Sequence, residues 1–195
     1  MRMQTVARAF APFFAVMMLA VISLAGAASA QEKSERKSER RSEQKENGLP
    51  TAWHGVWHGV MHNTGKSGKT AKVPVVFEIL AVKGSADLIW RKTYGEGKGQ
   101  VVKDYRLTRD SKHTGRFVVD ERNGIKLALR NVGHVLHGCF RIKEQVYTAR
   151  YELRKDTLSF EITVAEPSGD QQEHGVQDYA TTVVQAANLT RKKGG

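Results

Sequence analysis

One cysteine, Cys139, is all the chain carries. A lone cysteine excludes an internal disulfide, and no cluster of cysteines and histidines has zinc-ligand spacing. Helical periodicity is absent once the first thirty residues are passed. Paired carboxylates are missing too. Asp104, Glu152 and Glu161 fall on strand faces turned from the presumed core, and Asp120-Glu121 sits beside the turn signal Asn123-Gly124. No hydrolase motif is present. Gly65-Lys66-Ser67-Gly68-Lys69-Thr70 looks like a phosphate loop, but Asn63 stands where that pattern needs glycine, and a strand rather than a helix follows. Cys139 faces away from Leu136 and Phe140 and reads as a small packed residue. His137 shares its face at roughly 6.5 Å, a spacing that does not by itself make a nucleophile and base. These absences argue against an enzyme, and no cofactor or metal is expected.

Acidic residues are also short: 20 against 31 lysines and arginines, for a net charge of +11. The positives are spread over most of the chain. Aromatics are not interleaved with them as in a platform for single-stranded nucleic acid, so nucleic acid is not an expected partner. Solubility accounts for the charge, and salt-dependent contact with an anionic envelope polymer is the functional counterpart.

The one long apolar run is Ala9 to Ala25, interrupted only by Ser23. Arg2 and Arg8 precede it and Ala28-Ser29-Ala30 ends it, so residues 1–30 read as a bacterial-style signal peptide cut before Gln31. Export to the periplasm or the outside follows, with no transmembrane span in the mature chain. No cysteine follows the cleavage point, which excludes a lipoprotein anchor. Loss of Arg2 and Arg8 leaves 29 basic residues against 20 acidic ones, a charge of +9. Residues 31–48 have no apolar side chain and repeat Lys-Ser-Glu-Arg-like units. They cannot bury surface to offset ordering entropy and read as a disordered charged linker.

From Leu49 to the end, residues 49–195, short alternating segments are separated by turn signals. The pattern predicts an all-β domain, a single antiparallel up-and-down β-barrel of about eight to ten strands. A two-sheet sandwich is the alternative. Asn123-Gly124 predicts a type I′ hairpin turn, and Glu166 to Asp178 reads as a long polar loop.

The domain opens on Trp53-His54-Gly55-Val56-Trp57-His58-Gly59-Val60-Met61. Period-two reading places Trp53, Gly55, Trp57, Gly59 and Met61 on a core face and His54, His58 and His62 on the other. Histidines four apart in a strand are roughly 13 Å apart, too far to share an ion. Gly55-Val56-Trp57 resembles the Gly-x-Trp signature that opens the first strand of lipocalins and related barrels. The resemblance spans Leu49 to Arg191. It implies that Trp57 closes one end of the barrel and that a basic residue near the end of the last strand, here Arg191, packs over it.

A barrel of this size can hold one small ligand. The expected function is a monomeric, non-enzymatic carrier of a small apolar or amphipathic molecule. The lumen candidates are Trp90, Tyr105, Phe117, Phe140, Tyr147 and Tyr151, for which a filled core is an equal explanation. Lys92 and Arg150 are candidate polar anchors if they face inward. The alternatives are a protein-binding or inhibitor module acting through Gly95–Gly99 and Glu166–Asp178, and a haem-binding barrel with a lone histidine ligand.

Overall fold

The computed structural model of the chain describes residues 48–171 and 176–191. The expected signal peptide, all but the last residue of the charged linker, residues 172–175 and the final four residues lie outside the described residues. No helix among the described residues is long and apolar enough to cross a membrane.

Ten strands follow in order: β1 Gly55–Thr64, β2 Thr70–Ala81, β3 Leu88–Tyr94, β4 Val101–Arg109, β5 Arg116–Asp120, β6 Lys126–Val132, β7 Val135–Ile142, β8 Gln145–Arg154, β9 Thr157–Gln171 and β10 Gln177–Arg191. Each pairs antiparallel with the next, and β10 pairs back onto β1, so the sheet is a closed up-and-down barrel. Closure decides between barrel and sandwich. Where the ring of strands is closed, it also removes the free edges that promote edge-to-edge association.

Alternation sets the core. Trp57, Phe77, Ile79, Leu107, Leu136, Leu158 and Leu189 all point inward and are fully buried. The first strand starts later than its alternation suggests. Trp53 lies in a short 3₁₀ turn at Thr51–Trp53 that follows Pro50. It is buried all the same, because its carbonyl accepts the Trp57 indole N–H at 3.0 Å.

Pro74 sits inside β2 without breaking the ladder. Its carbonyl accepts from the Gly95 N–H at 2.8 Å. Its nitrogen therefore faces the point where β3 ends, since Val75–Tyr94 is the last pair between those strands. The missing N–H costs no ladder bond.

Three readings of the sequence need correction. Cys139 is exposed on the outer face of β7, not packed. Asn123-Gly124 is not a two-residue type I′ turn. The pair Asp120–Lys126 closes a five-residue loop in which Arg122 and Gly124 take positive φ (62° and 97°). Asn123 instead turns its side-chain carbonyl back to accept the Ile125 N–H at 3.0 Å, which fixes the loop by an Asx contact. The supposed loop from Glu166 to Asp178 is largely strand, with Pro167 paired to Tyr179 and Gln171 to Gln177. There β9 and β10 run past their neighbours and pair only with each other. A ribbon with no core face can be polar on both sides while its backbone ladder persists.

Gly59 marks the tightest approach of β1 to β10. A Cβ there would lie 2.6 Å from the Asn188 carbonyl oxygen and 2.8 Å from a Leu189 methyl. At Gly138 the Cβ would lie 2.7 Å from a Leu129 methyl and 3.4 Å from the nearest backbone oxygen. The first clash is with backbone and the second with the end of a movable side chain. Gly59→Ala should therefore cost ~2–3 kcal/mol in urea unfolding and Gly138→Ala ~1 kcal/mol or less. Equal losses would contradict this account of the β1–β10 seam.

Candidate functional site

The two ends of the barrel differ. At the end where β1 begins, the Arg191 guanidinium lies over the Trp57 ring, 4.6 Å from its centroid. Trp57 and Arg191 are direct cross-strand partners, and Arg191 also donates to the Ala52 carbonyl. Gly55 makes room for the arginine. It takes φ +151°, and a Cβ there would come 3.1 Å from Arg191 Nε. Cation, indole and turn together cap this end.

Toward the other end the interior opens into a cavity of about 480 Å³. Trp90, Tyr105, Phe140, Tyr147 and Tyr151 line it, together with Lys92. Phe140 and Tyr147 are cross-strand partners whose rings stack at 5.3 Å with planes 4° apart. Tyr147 donates to the Gln145 side chain at 2.7 Å, which holds the ring upright. Phe117 is not part of this wall. It is buried in the packed core opposite Leu129. No histidine is among the residues that line the cavity.

Lys92 and Tyr151 form the polar centre of the cavity. Lys92 follows Trp90 by two residues in β3, so the alternation that buries the indole also buries the lysine. Only 5% of Lys92 is exposed. Its Nζ donates to the Tyr151 hydroxyl at 2.8 Å. The same nitrogen lies over the rings of Tyr151, Phe77 and Phe160 at 4.7, 5.0 and 5.4 Å. No carboxylate among the described residues forms an ion pair with it. Burial pushes Lys92 below the ordinary lysine range, and the charges of Tyr94 and Glu121 offset this only in part. Burial likewise pushes Tyr151 well above the usual tyrosine range. Tyr105 is pushed up to about 12, by burial first and then by the neighbouring Glu121 carboxylate. The Trp90 indole N–H is buried on the same wall without a well-formed hydrogen bond.

Arg150 does not reach this centre. It faces outward and pairs with Glu152, which Arg154 also holds. Arg116, Arg130, His137 and Arg150 are successive cross-strand partners and make a basic row on the outer wall, beside Cys139. His58 and His62 stand on the outer face of β1, and His54 lies in the turn before it.

Tyr94, Lys103, Glu121 and Gln185 also line the cavity and were not singled out from the sequence. Alternation from Trp90 does signal Tyr94. Glu121 gives no such signal, because it belongs to a turn whose direction depends on the loop that follows.

A closed ten-strand meander, capped by tryptophan and arginine at one end and hollow toward the other, defines a lipocalin-like barrel. Among the solved structures that share the fold are two. One is the S-type phycobiliprotein lyase CPES from Guillardia theta, with TM-score 0.56, 7% identity, and coverage of 74% of this chain and 90% of that one. The other is a protein of unknown function of the DUF3598 family from Nostoc punctiforme, with TM-score 0.51, 9% identity, and coverage of 73% of this chain and 48% of that one. At such identities the likeness is one of fold alone. No family model and no curated protein matches the chain.

Lys92 links stability to pH in a definite sense. Below its lowered pKa the folded protein carries a buried ammonium that the unfolded chain leaves in water. Between that pKa and the ordinary lysine value of 10.5, the unfolded chain holds the proton and the folded one does not, so stability rises with pH. Replacing both partners, Lys92→Met with Tyr151→Phe, removes the charge without stranding a hydroxyl. Urea unfolding should show the double variant ~1–3 kcal/mol more stable at pH 7, with the gain shrinking as pH approaches 10. A gain that does not vary with pH, or a loss, would contradict the placement of an unpaired amine in the core.

Proposed function

We propose that the protein is an exported, monomeric, non-enzymatic binding barrel for a small amphipathic molecule. The observation that carries this reading is the buried Lys92–Tyr151 pair set among the aromatic rings of the cavity. A filled core would have no use for a buried lysine that makes no ion pair among the described residues, since an apolar residue of similar volume would serve as well or better. The cavity volume falls within the roughly 300–1,000 Å³ of small-molecule pockets. The apolar body of the ligand lies against Trp90, Tyr105, Phe140 and Tyr147. Its polar end carries an oxygen acceptor and meets Lys92 and the hydroxyl proton of Tyr151.

The basic start, apolar run and Ala-x-Ala ending of residues 1–30 support export. The outward row of Arg116, Arg130, His137 and Arg150 gives an anionic envelope polymer a place to settle in a salt-dependent way. A second reading, a protein-binding module, is favoured by the β9–β10 ribbon, which runs beyond the strands on either side of it.

Decanoate is a suitable probe, read by displacement of an environment-sensitive fluorophore. Ala149 is buried on the cavity wall, so Ala149→Phe fills the space. It should weaken decanoate binding at least ~10-fold while the far-ultraviolet spectrum of the barrel is kept. Equal binding to both forms would place the ligand outside the cavity and overturn this function.

A further inference from the structure

The binding reading asks only that Lys92 be polar. Its surroundings suit it to more. Lys92 is 5% exposed, lines a cavity of about 480 Å³, and has Tyr151 Oη 2.8 Å from its Nζ. Three aromatic rings surround the nitrogen and no carboxylate among the described residues pairs with it. A lysine amine becomes more available as a nucleophile as desolvation favours its neutral form, and burial among these rings shifts Lys92 in that direction.

We propose that Lys92 captures apolar aldehydes covalently, as a reversible imine formed inside the barrel with Tyr151 as proton donor. The inference deepens the binding reading and rests on it, because the aldehyde must first enter the cavity.

The atoms balance without a further reactant. The Nζ lone pair forms a C–N bond to the carbonyl carbon as the C=O π pair moves to oxygen. Tyr151 delivers its proton to that oxygen and regains one from the nitrogen. The nitrogen then gives up its second proton, oxygen leaves as water, and the C=N bond remains. Nothing is oxidised or reduced. A dry aromatic wall favours the side of the equilibrium that has lost water. The geometry selects the substrate class. The carbonyl must sit at the depth of Lys92 with its tail running outward past Phe140 and Tyr147, which fits an aldehyde on an unbranched or conjugated apolar chain.

The test uses the full chain at pH 7 with decanal and sodium cyanoborohydride, and decanol as the twin that cannot react. Reduced adducts are counted by intact mass and located by peptide mapping, and decanol binding is read by fluorophore displacement. The expected result is one adduct per chain, mapped to Lys92, formed at least ~10-fold faster than at any other lysine and suppressed by excess decanol. Tyr151→Phe should slow it ~10-fold or more, the scale of one positioned proton donor. Lys92→Arg should lose the adduct, while decanol binding is read on the unaltered chain. Mapping on the unaltered chain keeps the test valid if a variant folds poorly. Decanol bound in the cavity without an adduct at Lys92 would overturn imine capture and leave the binding function standing. Adducts spread evenly over exposed lysines would also overturn it. Failure of both decanol and decanal to bind would overturn the binding function as well.

Discussion

Everything in this barrel depends on the return of β10 to β1. That one antiparallel seam, from Trp57–Arg191 to Thr64–Val184, turns a meander into a closed surface. Once the sheet is closed, ten inward-facing rows must share a space whose width is fixed by strand number and tilt. Near the seam's beginning the large side chains fill that space, and Arg191 over Trp57 seals it. Gly59 lets the two backbones approach closely enough for the seam to form. Further along, the inward residues cannot meet across the barrel, and the same closure that packs one half leaves a hollow in the other.

Lys92 stands where those two halves meet. Below it are Phe77 and Phe160, and beside it Tyr151, all presenting ring faces or a hydroxyl. The rings attract a cation but do not neutralise it. The site therefore holds a lysine that gives up its proton more readily than one in water, and a tyrosine that holds its proton more firmly. A donor and a nucleophile at hydrogen-bond distance are a stability cost with a chemical use. Such local costs concentrate where a protein functions.

The sequence was most legible where one period governed many residues. Strict alternation placed Trp57, Trp90 and Tyr151 inward, and the Gly-x-Trp opening pointed to Arg191 as the residue over Trp57. Legibility failed where local chemistry overrode the period. Asn123-Gly124 carries the composition of a two-residue turn, yet the ladder stops earlier, at Asp120–Lys126, and Arg122 takes the left-handed position. The polar stretch after Ala165 hides a ribbon, because strands without a core face have no apolar alternation to show. Phe117 and Phe140 carry the same inward phase, but depth along the barrel sends one to the packed core and the other to the cavity wall. Depth is set by strand stagger, which no single strand reveals. Lys92 was readable by phase alone, and its significance came only with the rings and hydroxyl contributed by β2, β8 and β9.

The most direct test of the account is a nuclear magnetic resonance titration that follows the two indole N–H signals of Trp90 and Trp57 as decanoate is added. Trp90 lines the hollow with an N–H free of a well-formed bond, whereas Trp57 donates to the Trp53 carbonyl under the Arg191 cap. The account predicts a saturable shift at Trp90, accompanied by the amides of Tyr105, Tyr147 and Tyr151, with Trp57 unmoved. An unshifted Trp90, or equal movement of both indoles, would contradict a ligand site in the open half of the barrel.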